Sequence, residues 1–147
     1  FTIDIADKNL LDYLALKPLL VKPNEEELGK IFETEINEDN LVKYAKKLNE
    51  LGALNVIVSL GAKGSIFLDD NKVYRAKPVN GKLVNSVGAG DSMVGGFVYA
   101  CVNNYDKIDA FKLAAACGSA TAFSPDIADK DMINDVLSKV EVEEIGN

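Results

Sequence analysis

A glycine-rich turn followed at once by an acid is the stretch best suited to chemistry: residues 85–92 read NSVGAGDS. Gly88 and Gly90 permit backbone dihedrals closed to other residues, so successive N–H groups can point inward and bind an anion. The N-terminus of the helix predicted to follow attracts anions as well. Asp91 then lies beside a phosphate site, where its carboxylate can take a proton from a hydroxyl that attacks a phosphoryl group.

A structural explanation of Asp91 is also open. Aspartate is a common N-cap, and short glycine motifs have many chance matches. Asp91 could therefore cap a helix after an ordinary glycine turn, without any part in catalysis. This stretch alone does not separate the two explanations.

A second group of chemical residues lies at 22–27, which read KPNEEE. Lys22, Asn24 and Glu27 place a cation, an amide and a carboxylate at the start of a predicted helix. That set suits a phosphate contact and a hydrated magnesium ion, because Mg²⁺ favours oxygen ligands and keeps several waters. The alternative is a capping box, with Asn24 on the helix amides and Glu27 reaching back, and for this loop alone we favour the cap.

A third loop, residues 59–64, reads SLGAKG at the end of an apolar run. Its two glycines would let the backbone approach a nucleotide, although a plain strand-turn-strand connection explains them equally well. Neither this loop nor the GAGD turn has the glycine spacing and the following Lys-Ser/Thr of a P-loop. The dinucleotide fingerprint fails too, because no third glycine follows in register.

Composition excludes several classes of protein. The 147 residues include 48% hydrophobic residues, enough for a core, and carry a net charge of −7, which would repel nucleic acid and anionic membrane surfaces. Cys101 and Cys117 lie in apolar helical patterns and are expected to be buried thiols; without histidine, a zinc site is not expected. With no bilayer-spanning run and no signal peptide, a cytoplasmic location is the default expectation. Because the chain opens inside an apolar run without Met, we expect an excised fragment.

Alternating strands and helices predict an α/β fold with a three-layer, mostly parallel sheet and an antiparallel hairpin at its edge. Loops that follow parallel strands meet at the carboxyl edge of such a sheet, so the three loops should converge. The acidic end from Glu141 is expected to be a short strand or a tail. Predicted strands cover 1–5, 18–22, 54–60, 64–68 and 72–76, and predicted helices cover 6–16, 24–32, 38–51, 92–102, 108–123 and 129–140.

The three loops together, KPNxxE, SLGxxG and VGAGDS in this order, resemble the ribokinase-like (PfkB) family of carbohydrate kinases. Residues 119–124, SATAFS, look typical of its fructose-phosphate members. The resemblance covers essentially all 147 residues, but only about the carboxyl-terminal half of such a kinase. It implies a ribokinase-like fold truncated at the N-terminus, with residues 1–147 as the C-terminal nucleotide-binding and catalytic portion of one kinase domain.

By this resemblance the chain belongs to an ATP-dependent phosphosugar kinase that uses magnesium. Asp91 would be the general base for the sugar-phosphate hydroxyl, and the amides of Gly88, Ala89 and Gly90 would stabilise charge on the transferring phosphoryl group. The resemblance implies further assignments: Lys22 and Asn24 to ATP, Asn24 and Glu27 to magnesium through water, Ser59, Gly61 and Gly64 to the nucleotide, and Cys117 and Gly118 to the flanks of adenine.

The resemblance also implies the reaction, which converts fructose 1-phosphate to fructose 1,6-bisphosphate. Two alternatives stay open, a tagatose-6-phosphate kinase and a non-catalytic nucleotide-binding module of the same fold. The family's sugar site would precede Phe1, so the chain alone is expected to be inactive. The expected partners are ATP and a phosphosugar, with no nucleic acid or membrane, and a homodimer of the full-length protein is left open.

Overall fold

Six strands form one sheet, five of them from the first half of the chain and one from its end. The structure, a computed structural model, describes residues 2–3, 8–69, 72–81, 83–84, 88–125 and 128–146. Within the sheet, β1 pairs with β2 and β2 with β3 in parallel, and β3 pairs with β4 antiparallel. The strands stand in chain order: β1 (Thr2–Ile3), β2 (Leu20–Val21), β3 (Val56–Ser59), β4 (Ser65–Asp69), β5 (Lys72–Ala76) and β6 (Val142–Gly146).

Helices connect and follow these strands, so the predicted α/β class is confirmed. The acidic end forms a strand, β6, which lies next to β5. The edge of the sheet is therefore β6, one strand beyond the predicted hairpin of β4 and β5. The helices are α1 (Glu25–Phe32), α2 (Leu41–Leu51), α3 (Ala89–Val102), α4 (Lys107–Ala122) and α5 (Lys130–Leu137), with 3₁₀ segments at Lys8–Leu16 and Gly61–Lys63. Within the described ranges, no helix is both long and apolar enough to cross a bilayer.

The chain divides into two compact units, Phe1–Arg75 with Glu143–Asn147, and Ala76–Val142. In the first unit, Val56 and Val58 of β3 are fully buried and pack in one apolar cluster with Leu28 of α1 and Leu48 of α2. In the second unit, α3 and α4 lie side by side, and Ala116 and Ala120 of α4 pack against Val136 of α5. The small residues of α4 therefore allow close helix packing.

Several predicted boundaries move by a few residues. α2 begins at Leu41 rather than Glu38, because Asn37 Oδ1 accepts from the backbone N–H groups of Asp39 at 2.9 Å and Asn40 at 3.0 Å. Such side-chain bonds offer the backbone an alternative to helix. α3 begins at Ala89, three residues before the predicted start.

Residues 8–16 form a 3₁₀ helix where an α-helix is predicted. Some predictions fall outside the described residues: Phe1, residues 4–7, the hairpin turn at 70–71, and residues 85–87 before the glycine turn.

Candidate active site

The glycine turn forms the beginning of α3. Gly88 is the N-cap, with φ at 83°, and the first hydrogen bond of the helix runs from Ser92 N–H to Gly88 C=O at 2.9 Å. The N–H groups of Ala89, Gly90 and Asp91 precede that bond, so they have no partner within the helix. The turn thus presents three consecutive donors where the helix dipole is positive.

Asp91 is the third residue of α3 and is exposed. The N-cap explanation for Asp91 therefore fails, because Gly88 holds that position. Within the described part of the chain, no hydrogen bond or ion pair engages the Asp91 carboxylate. An exposed acid beside unpaired amides is free to meet a ligand, and its catalytic role stays a prediction.

Gly88 gives the turn its backbone conformation. A positive φ of 83° is a conformation that L side chains rarely adopt. A Cβ placed on Gly88 would meet no heavy atom of the described residues within 4 Å. Among the described residues, Gly88 is therefore needed for its backbone conformation and not because a neighbour lies close to it.

The second loop forms the capping box that the sequence favours. Asn24 is the N-cap of α1, and its Oδ1 accepts from Glu27 N–H at 2.7 Å. Glu27 Oε1 accepts from Asn24 N–H at 3.0 Å, which leaves Oε2 without a role in the cap. Among the residues that the structure describes, no group of three or more His, Cys, Asp or Glu could hold a metal. A magnesium ion at Glu27 would therefore be largely water-ligated, which is usual for Mg²⁺.

The segments 22–27 and 59–64, two of the three predicted to converge, lie side by side. Ser59 N–H donates to Pro23 C=O at 3.1 Å, and Asn24 forms an isolated parallel bridge with Ser59. Gly61, two residues on, has φ at 59° and open space around a placed Cβ among the described residues. The predicted phosphate and nucleotide loops of the first unit therefore share one edge of the sheet.

Two residues that the sequence pattern does not indicate, Glu38 and Arg75, contact the loop at 61–64. Arg75 Nη2 donates to the Lys63 carbonyl at 3.3 Å, and Arg75 Nη1 lies 3.8 Å from Glu38 Oε2. Lys63 Nζ lies 3.7 Å from Glu38 Oε1. Glu38 and Arg75 come from distant parts of the sequence, so no local pattern could have indicated that they meet.

Cys117 and Gly118 are buried in the packing of α3 against α4. A Cβ placed on Gly96 would lie 2.8 Å from Cys117 Sγ, and one on Gly118 would lie 2.5 Å from Met93 Cγ. Burial raises the pKa of the Cys117 thiol. Cys101 is only half-buried, not fully buried as the sequence predicts, and its partial burial raises the pKa of its thiol against the opposing effect of the Lys107 ammonium. Both thiols are therefore protonated at neutral pH, and the predicted adenine contact stays a prediction.

The predicted site residues divide between the two units. Lys22, Asn24, Glu27, Ser59, Gly61 and Gly64 belong to the first, and Gly88, Ala89, Gly90, Asp91, Cys117 and Gly118 belong to the second. Within the first unit the structure joins two predicted loops, and within the second it places the acid on its glycine turn.

Comparisons with known proteins agree on one family. The family described as pfkB family carbohydrate kinase matches residues 3–131. The chain is 43% identical over 141 residues to the 1-phosphofructokinase of Bacillus subtilis, covering 95% of this chain and 46% of that protein. It is 34% identical over 142 residues to the D-tagatose-1-phosphate kinase of Bacillus licheniformis, with 95% of this chain and 47% of that protein covered.

Among solved structures, a candidate phosphofructokinase from Staphylococcus aureus matches with a TM-score of 0.91 at 37% identity, covering 99% of this chain and 48% of that one. The chain spans about half the length of the curated relatives it matches.

Proposed function

Because the chain belongs to the PfkB family of carbohydrate kinases, we propose that it is the C-terminal nucleotide-binding and catalytic portion of an ATP-dependent phosphosugar kinase. One observation carries this proposal. Asp91 is an exposed acid, unpartnered within the described residues, on a helix whose first three N–H groups have no partner in the helix. A module that only binds nucleotide needs the glycine turn but has no use for an acid there.

The proposed reaction is a direct phosphoryl transfer. The acceptor hydroxyl oxygen forms a bond to the γ-phosphorus of ATP, the bond from that phosphorus to the ADP oxygen breaks, and the hydroxyl proton passes to Asp91. The amides of Ala89, Gly90 and Asp91 donate to the transferring group, with Gly88 giving the backbone its turn. Preorganised donors of this kind stabilise charge that develops in the transition state.

The loops of the first unit are proposed to hold the nucleotide. Lys22 supplies a cation for ATP phosphate. Ser59, Gly61 and Gly64 line the nucleotide in this proposal; Gly61 is exposed, and Ser59 and Gly64 are half-buried. Asn24 and Glu27 are proposed to hold magnesium through water, with Glu27 Oε2 free of the capping box. Magnesium supplies charge neutralisation to the phosphates when bound.

The proposed substrate is fructose 1-phosphate, which would yield fructose 1,6-bisphosphate. Support comes from the 43% identity to a protein named 1-phosphofructokinase. The relative named D-tagatose-1-phosphate kinase favours tagatose 1-phosphate as the second candidate, ahead of the 6-phosphate suggested by sequence analysis. The ratio of kcat/KM for the three sugar phosphates, measured on the full-length enzyme, decides among them.

The test of the catalytic proposal compares two aspartates at equivalent helix positions. Asp91 is the third residue of α3, and Asp109 is the third residue of α4, after the N-cap Asp106. In the full-length enzyme, Asp91→Asn should lower kcat by about 10²- to 10⁴-fold, the usual share of general-base catalysis, with KM for ATP within a few-fold. Asp109→Asn removes the same charge from the same helix position and should leave kcat unchanged.

Near-normal turnover by Asp91→Asn would refute the assignment of the base. Equal losses in both variants would attribute the effect to helix electrostatics rather than to proton transfer. The melting temperature of each variant, measured alongside, separates unfolding from lost catalysis.

A further inference from the structure

The beginning of α3 needs support from outside the helix. Two of its first residues, Gly88 at the N-cap and Gly90 in the first turn, are glycines, and glycine loses the most conformational freedom on folding. Gly88 offers no side chain to cap the helix, and the structure shows no side-chain cap bond there. A turn of this composition does not hold a fixed geometry by itself.

The support comes from one face of α4. Gly118 and Thr121 are three residues apart, so they lie on the same side of that helix. A Cβ placed on Gly118 would lie 2.5 Å from Met93 Cγ and 3.4 Å from the Ala89 carbonyl oxygen. Gly118 thus lets the first turns of α3 rest directly on α4.

Thr121 adds a polar contact at the same place. Its Oγ1 lies 2.9 Å from Ser92 Oγ in a part-buried hydrogen bond, and Thr121 is only 3% exposed. A long contact of 3.5 Å from Ala128 N–H reaches the same oxygen. The Thr121 hydroxyl therefore bonds to Ser92 of α3 and contacts Ala128 in the segment before α5. A buried hydroxyl without a partner would be costly.

Helix geometry puts Asp91 on the side opposite Ala89 and Met93, and about 100° around the helix from Ser92. Ala89 and Met93 stand two residues before and after Asp91, about 200° around the helix at 100° per residue. Those two residues touch α4, and Asp91 is exposed. Fixing the buried side of the turn therefore fixes the direction in which the acid points.

We propose that Thr121 is a positioning residue for catalysis: through its hydrogen bond to Ser92 it sets the orientation of the first turn of α3 and thereby of Asp91. The proposal rests on the proposed function, in which Asp91 takes the proton. Thr121 itself touches neither substrate nor nucleotide in this assignment. Its effect on turnover passes through the first turn of α3, which carries Asp91 and the donating amides.

The experiment uses the full-length enzyme and three variants. Thr121→Val keeps the shape but loses the hydroxyl, Thr121→Ser keeps the hydroxyl, and Ser92→Ala removes its partner. We expect Thr121→Val and Ser92→Ala to lower kcat about 10- to 100-fold, the scale of a small misplacement in an active site, with KM for ATP within twofold. Thr121→Ser should restore most of the kcat, and the Thr121→Val/Ser92→Ala double variant should lose no more than either single one.

Two measurements distinguish a positioning role of Thr121 from a merely structural one. Rates are taken well below each variant's melting temperature and divided by the folded fraction, so a stability loss alone leaves kcat unchanged. Thr121→Val is then added to Asp91→Asn, where we expect a much smaller further loss than in the wild-type background, because the base is absent and only the amides of the turn remain to be misplaced.

The measured kcat values test the role of Thr121 separately from the role of Asp91. Wild-type kcat in Thr121→Val, or a full additional loss in the Asp91→Asn background, would overturn the positioning role while leaving Asp91 as the base. Full activity of Asp91→Asn itself would instead remove the proposed function.

Discussion

Asn24 and Glu27 each have two roles in the proposal, one structural and one chemical. The capping box uses Asn24 Oδ1 and Glu27 Oε1. Glu27 Oε2 remains available, so the cap and a water-ligated magnesium ion can exist together. The structural and chemical explanations of this loop are therefore compatible. A substitution that removes the charge of Glu27 but keeps the cap distinguishes them.

Glu27→Gln makes that separation in the full-length enzyme. Glutamine retains an oxygen that can accept from Asn24 N–H, so the melting temperature should change little. Loss of the carboxylate should raise the Mg²⁺ concentration needed for half-maximal activity several-fold, measured by titrating magnesium at fixed ATP. Glu26→Gln is the matched control, because Glu26 lies in the same turn and, among the residues that the structure describes, pairs only with the exposed Lys30 at 3.4 Å. An identical magnesium dependence in both variants would leave Glu27 with the cap alone.

At the scale of elements, α3 contains two neighbouring glycines in different surroundings. A Cβ on Gly95 would meet no heavy atom of the described residues within 4 Å, whereas one on Gly96 would lie 2.8 Å from Cys117 Sγ and 3.3 Å from the Leu113 carbonyl oxygen. Gly96 is therefore required by the close approach of α4. Gly95 only lowers the helix propensity of α3.

Alanine at each position tests this difference. Gly96→Ala should lower the free energy of unfolding by about 1–3 kcal/mol, the usual cost of overpacking. Gly95→Ala should raise it by about 0.5–1 kcal/mol, because alanine suits a helix interior better. Urea unfolding of the two variants measures both values, and equal effects at the two positions would contradict the packing of α3 on α4 described above.

The existence and type of most elements follow from sequence patterns, and their ends do not. Alternation in residues 64–76 and apolar spacing in residues 129–140 each predict an element that is present. The start of α2 depends instead on side chains of Asn37 and Asn40 that bond the backbone, and the start of α3 on the positive φ of Gly88. Such local competition is decided by geometry that residue types alone do not specify.

The candidate site is predictable to a similar degree. Its glycine turn, capping box and nucleotide loop are all local in sequence, and each can be found by spacing. The residues that fasten them are not local, since Arg75 reaches Lys63 and Thr121 reaches Ser92 across 12 and 29 positions. Their types, Arg and Thr, carry no sign of that role until the chain is folded.

At the scale of the whole molecule, the chain spans about half the length of its curated relatives. The chain spans 46% of the Bacillus subtilis relative, and the sugar site is proposed to lie outside residues 1–147. β1 stands at the end of the strand order, so within the described residues it has a neighbour on one side only. An open strand edge invites pairing with another chain.

The 147-residue chain alone is therefore expected to associate with itself, to bind ATP weakly and to form no phosphosugar product. Orientation of the two reactants can account for about 7–11 kcal/mol of a barrier, and the chain would hold only one of them. Light scattering, calorimetry with ATP and a product assay on fructose 1-phosphate measure the three properties. The full-length enzyme and its Asp91→Asn variant provide the active and inactive references. Ordinary turnover by a monodisperse 147-residue monomer would place the sugar site within this sequence.

The backbone bond from Ser59 N–H to Pro23 C=O also protects the Ser59 amide from exchange with solvent. For this amide to take up deuterium, the end of β3 must separate from the segment after β2, because the bond joins one to the other. Amides that are freed by the same opening share one protection factor. Deuterium uptake by the Ser59 amide therefore reports how often the end of β3 separates from the segment after β2.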